Sequence, residues 1–208
     1  MFRKMQWKIV CIFMALVLAI MVIVGFYMFS SVVRLYSTDF QNQMDKVMSG
    51  DFVDVLTETL YADTSDAEKQ SRINEVISAY SSQLGLSEMR QCAVLNARDA
   101  SRITTTGAGL GSVDKTPNII LAMAGDTGRR IRNNAAYMDY AYYIEGKSKE
   151  DYGYIVYVKD NKQSVNAVTS NILYIIIQAM LFGVLASLFL GYFLSSSPSS
   201  FGSGSSTL

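Results

Sequence analysis

Three guanidinium groups stand within four residues at Arg129-Arg130-x-Arg132, shortly after Gly125. Arginine presents a planar fork of donors that matches a carboxylate or a phosphate, so this cluster is a candidate anion site. In an extended segment Arg130 and Arg132 share one face. The same arginines also fit a role without a ligand. From Leu35 to Met89 the chain has 3 basic and 10 acidic residues, a net of −7; from Arg90 to Ser170 it has 11 and 8, a net of +3. An internal charge match between these halves takes precedence over the anion site. A basic strand end meeting lipid headgroups is a further reading.

The other reactive residue types exclude more than they suggest. The chain contains no histidine. That rules out a histidine-based triad, an imidazole metal site and a histidine phosphoacceptor on this chain. Cys11 lies in an apolar run and Cys92 in a separate one, which predicts neither a disulfide nor a thiolate metal site. Cys11 opens its apolar run instead of ending it, unlike a lipidation cysteine. Gly107-x-Gly109-x-Gly111 lacks the spacing of a phosphate loop and reads as a flexible turn. Asp63 and Asp66 read as helix-cap charge. No metal and no cofactor are expected, and a net charge of zero gives no electrostatic case for nucleic acid.

The elements that must position these residues are dominated by two apolar runs. Ile172 to Leu194 holds 23 residues without a charge, and its only strongly polar side chain is Gln178. A bilayer core needs about 20 apolar helical residues, so this run predicts a membrane span. Ile9 to Phe29 is a second uncharged run, preceded by Arg3, Lys4 and Lys8. Bulky Phe26, Tyr27, Met28 and Phe29 stand where a signal peptide would carry small residues, which favours an uncleaved anchor. The basic start holds the N-terminus in the cytoplasm. The expected plan is a cytoplasmic segment 1–8, a span 9–29, an extracytoplasmic domain 30–170, a span 171–194 and a flexible tail 195–208. In the second span Gly183, Ser187 and Gly191 recur every four residues, as they do where two helices approach closely in a membrane.

Between the spans the period of the apolar residues changes. Val33, Tyr36, Phe40, Met44 and Val47 recur at helical spacing, extending the first span outward to about Ser49. Packed directly outside an anchor, this stripe has a second copy of the same helix as one possible partner. Asp51–Ala62 predicts a short acidic helix. Ser65 with Glu68 forms a capping box before a helix over Ala67–Gln83, which Gly85 would end. Cys92–Leu95 and Ser101–Thr106 predict two strands about a turn. Thr116-Pro117 opens a short helix, and Gly125 closes it. Ala136–Glu145 alternates as a strand with Met138, Tyr140, Tyr142 and Ile144 on one face. A polar hairpin from Gly146 to Gly153 leads into Tyr154–Lys159, after which Asp160 or Asn161 would cap a helix running into the second span. The fold class is α+β, an antiparallel sheet with helices expected on one side.

This order of elements resembles the extracytoplasmic PAS-like, or single Cache, domains of bacterial membrane receptors. The Cys92–Thr106 strand pair, the Thr116-Pro117-Asn118-Ile119-Ile120 helix start and the Tyr154–Lys159 strand leading into an apolar helix carry the resemblance. It is similar to the input half of WalK-type sensor histidine kinases, over residues 1 to about 195. The resemblance implies a ligand concavity between the sheet and its short helix, with Arg102, Thr104, Arg132, Tyr140 and Tyr142 as lining residues for a small anion. It also implies a homodimer in the lipid bilayer, with a response regulator as partner only in a full-length relative. The sequence departs from that family after Leu194. There 14 residues include eight serines and no charge, with neither a HAMP linker nor a kinase domain. A truncated, frameshifted or cut receptor is the expectation, without catalysis on this chain. The alternative is a membrane scaffold or assembly factor that binds a membrane protein partner through the outer domain. No constellation supports an external active site.

Overall fold

In a computed structural model the structure describes residues 2–106, 113–131, 136–148, 151–161 and 163–196. The chain divides into two compact units, one formed by Met1–Val32 with Ala167–Leu208 and the other by Val33–Asn166.

The first unit consists of the apolar parts of two long helices, α1 (Phe2–Met48) and α6 (Gln163–Ser196). Both are long and apolar enough to cross a membrane, by length and composition. Large side chains such as Phe13, Ile23, Phe26, Leu173, Phe182 and Phe189 are exposed around them. The covered faces are narrow: half-buried Met14, Val17, Leu18 and Met21 with buried Gly25 on α1, and half-buried Ile172, Ile176, Met180, Gly183 and Ser187 on α6. At Gly25 a Cβ would lie 2.7 Å from the Ile176 Cδ1. Gly183 and Ser187 are both half-covered. A Cβ at Gly183 would meet nothing within 4 Å, and the Ser187 hydroxyl donates to the Gly183 carbonyl of its own helix at 2.8 Å. The side of Gly191 lies outside the described residues.

The second unit is a mixed α/β fold. Four strands, β1 (Arg90–Asn96), β2 (Arg102–Thr106), β3 (Met138–Ile144) and β4 (Tyr154–Asp160), form one antiparallel sheet in the order β2-β1-β4-β3. β1 and β4 pair in full register from Arg90↔Asp160 to Asn96↔Tyr154. These central strands are apolar on both faces, so both faces must be covered. One face carries Cys92, Val94, Met138, Tyr140, Val156 and Val158. It packs against the end of α1 through Phe40, Met44 and Val47 and against α2 (Asp51–Leu60), α3 (Asp66–Ala79) and α4 (Ser81–Leu84). The other face carries Ala93, Leu95, Ala141, Ile155 and Tyr157 against Ile119 and Ala122 of α5 (Pro117–Met123). The expectation of helices on one side is thus corrected to helices on both.

Local signals act as their chemistry requires. The Ser65 hydroxyl accepts from the Glu68 amide, and Thr116 Oγ1 accepts from the Ile119 amide with Pro117 in the first turn. Gly85 ends α4 at φ +64, a left-handed conformation that a side chain resists. The helix expected to run unbroken to Gln83 instead breaks at Tyr80, which caps α3 and starts α4. The apolar stripe Phe40–Met44–Val47 is buried within its own chain, so it is not left for a second copy.

Candidate functional site

The segment after α5 is held from three sides. The Gly128 amide donates to the Ala141 carbonyl and the Ala141 amide to the Gly128 carbonyl, each at 2.8 Å, attaching it to the edge of β3. Asn118 grips Arg130: its Nδ2 donates to the Arg130 carbonyl at 2.9 Å and its Oδ1 accepts from the Arg130 amide at 2.9 Å. Gln41 of α1 donates from Nε2 to the Arg129 carbonyl at 2.6 Å. Gly128 is required here because an added Cβ would overlap the Asn118 backbone.

Asn118 is itself fixed in a buried polar cluster. Its Nδ2 also reaches the Asp139 carbonyl at 2.9 Å and the Asp139 Oδ1 at 3.0 Å, and the Thr116 hydroxyl donates to the Asp139 Oδ2 at 2.6 Å. Tyr157 packs beside this cluster. Burial, then the charge of Asp139, pushes its phenol far above the ordinary value.

This stapled segment presents Asp126, Thr127 and Arg129 at a cleft of about 470 Å³. Asp45, Met48 and Ser49 from the end of α1 form a second wall, and Tyr140 and Tyr142 of β3 the floor. Tyr140 donates to the Asp45 Oδ1 at 2.5 Å; burial, then this hydrogen bond, raises its phenol well above the usual range. Arg129 Nη1 stands 3.6 Å from the Asp45 Oδ2. That pair joins the acidic and basic halves, as the charge count suggested.

The residues implied by the resemblance are not gathered in one place. Tyr140 and Tyr142 line this cleft on the α1 side of edge strand β3. Arg102 belongs to β2, at the opposite edge, where it pairs with Leu95. Three strand spacings separate those edges, roughly 14 Å. Thr104 pairs with Val94, but its side chain and the whole of Arg132 lie outside the described residues. The implied concavity between sheet and short helix is filled, because Leu95, Ile119, Ala122, Ala141 and Ile155 are fully buried there. Among the described residues of this segment, Gly128 pairs with the sheet and Arg130 joins no strand.

A second constellation went unseen in the sequence. Arg90 Nε donates to the Asp160 Oδ2 at 2.8 Å, while Nη1 donates to the Gln43 Oε1 at 2.5 Å and the Leu84 carbonyl at 3.2 Å. Its guanidinium also stands over the Phe40 ring, 5.0 Å from the centroid. One side chain thereby ties α1, α4 and the end of β4 together. Asp160, with Asn161 one of two expected caps for the next helix, is engaged by this arginine. Among the described residues no group of three or more acidic or cysteine side chains is arranged to hold a metal ion. Comparison with family models, with curated proteins and with solved structures finds no match to this chain.

Proposed function

We propose that the chain is a membrane-anchored sensing module, the input half of a two-span receptor of the sensor histidine kinase kind. In this reading α1 and α6 cross the bilayer, the PAS-like α/β unit lies outside the cytoplasm, both termini lie inside, and the module works as a homodimer. The observation that carries the reading is the junction of β4 with α6. Central strand β4 ends at Asp160, three residues before the start of α6 at Gln163. A shift in the sheet is therefore passed into an apolar helix with little intervening chain to absorb it. The Arg90–Asp160 contact sits at that exit and joins it to α1. A ligand would act by binding one arrangement of these elements more tightly than the other. This chain supplies the input and no catalysis; a response regulator enters only in a full-length relative.

The filled interface between the sheet and α5 favours a second reading, a non-catalytic membrane scaffold that binds a membrane protein partner through its outer unit. A chimera separates the two. Residues 1–194 are joined to the cytoplasmic half of a two-span sensor kinase with a reporter gene. Sensing requires that Arg90→Ala change reporter output at unchanged membrane abundance. Output indifferent to Arg90→Ala and to deletion of residues 51–160 contradicts it.

A further inference from the structure

We propose that the cleft beside Arg129 binds a small zwitterion with an ammonium and a carboxylate a few ångströms apart, such as a free α-amino acid. The proposal rests on the outer unit alone and stands whether or not the chain is a receptor.

The charge of the lining selects the ligand class. Asp45 and Asp126 supply two carboxylates and Arg129 one guanidinium. A simple anion meets a net negative surface, and a simple cation meets the arginine. A zwitterion satisfies both. The groups also have capacity to spare. The Arg129 side chain is 64% exposed, and its 3.6 Å approach to Asp45 is longer than a hydrogen bond. Its donors can therefore receive a ligand carboxylate as a fork. Asp126 uses Oδ1 to accept from the Thr127 amide at 2.7 Å, and its Oδ2 is the oxygen that would receive an ammonium.

The site is held before any ligand arrives. The Gln41, Asn118 and Ala141 hydrogen bonds pin the backbone that carries Asp126 and Arg129, so little ordering remains to be done on binding. The half-buried Tyr142 ring in the floor gives an apolar side chain a surface on which to rest. About 470 Å³ lies within the range of small-molecule sites.

The test uses the full chain in detergent micelles, titrated calorimetrically with each standard L-amino acid. For each binder, the N-acetyl derivative and the carboxamide are titrated as well. At least one amino acid is expected to bind saturably. Blocking either charged end should weaken it about tenfold or more, the loss of one charge-assisted hydrogen bond. Arg129→Gln should erase the preference for acid over amide, and Asp126→Asn the preference for amine over N-acetyl. Both positions are exposed, so each variant should keep the parent's unfolding midpoint. Absence of binding by every amino acid overturns the proposal, as does binding that neither variant alters.

Discussion

Arg90 and Asp160 meet at 2.8 Å with side chains only 16% and 15% exposed, at the point where the central strand leaves the sheet for α6. A pair so covered is costly to break one-sidedly, because the remaining charge keeps its desolvation without its partner. Arg90→Ala should destabilise the outer unit by about 2–4 kcal/mol, including the lost contact with Phe40. Arg90→Lys should recover only part of this, since an ammonium cannot serve Asp160, Gln43 and Leu84 through one planar fork. Urea unfolding of the full chain in micelles, followed by far-ultraviolet circular dichroism, measures both.

Gly85→Ala tests the same contact from another side. The backbone is left-handed at φ +64, and a Cβ there would lie 2.6 Å from Arg90 Nη1. The conformational part alone costs about 1 kcal/mol. Because the clash falls on Arg90, the two substitutions should be less than additive. A double-mutant cycle that sums within about 0.3–0.5 kcal/mol would mean that Gly85 and Arg90 act independently.

Gly128→Ala should displace the stapled segment after α5. The added Cβ overlaps backbone, which cannot swing aside as a side-chain end can. A loss of about 1–3 kcal/mol is expected. The midpoint of urea unfolding checks it, and amide exchange at Ala141 and Arg130 should quicken.

Cys92 is fully buried, and burial pushes its thiol up to about 12. At neutral pH it should resist a water-soluble maleimide in the folded chain and react only on unfolding. Labelling of the Cys11→Ser variant, followed by mass spectrometry across a urea series, should therefore track the unfolding transition.

Alkaline pH should unfold the outer unit. The Tyr140 and Tyr157 phenols are raised above their ordinary value of 10.0, mainly by burial. Above that value the unfolded chain loses these protons while the folded chain retains them. The stability they provide is full below about pH 10 and is lost as pH rises through their folded values. Tyrosinate absorbance from these residues should appear together with loss of structure above pH 10, not before it.

The elements were legible where their signals are local. Ser65 with Glu68, Thr116-Pro117 and Gly85 act within four residues, so their spacing alone marks helix ends. The alternation from Met138 to Ile144 divided correctly between the two faces because a strand has a period of two. The candidate site was only partly legible. Tyr140 and Tyr142 were named, but Asp45 contacts Tyr140 across 95 positions, and Gln41 reaches Arg129 across 88. Arg90 looked like any charge beside a strand, since its partners Gln43 and Asp160 lie 47 and 70 positions away. Arg102 stands at the edge opposite Tyr140 and Tyr142 because strand order, not strand existence, decides which edge a residue occupies. The same order explains α5: only with β1 and β4 central do both faces of the sheet need a cover.

Anchoring by two spans with the α/β unit outside the cytoplasm is tested most directly by labelling one exposed position. Ser71 lies on the exposed side of α3 and takes a cysteine without disturbing the core. In a Cys11→Ser, Cys92→Ala background, Ser71→Cys should react with a membrane-impermeant maleimide on intact cells or spheroplasts. The chain should remain in the membrane pellet after an alkaline carbonate wash. Labelling only after permeabilisation, or release of the chain by the wash, would contradict it.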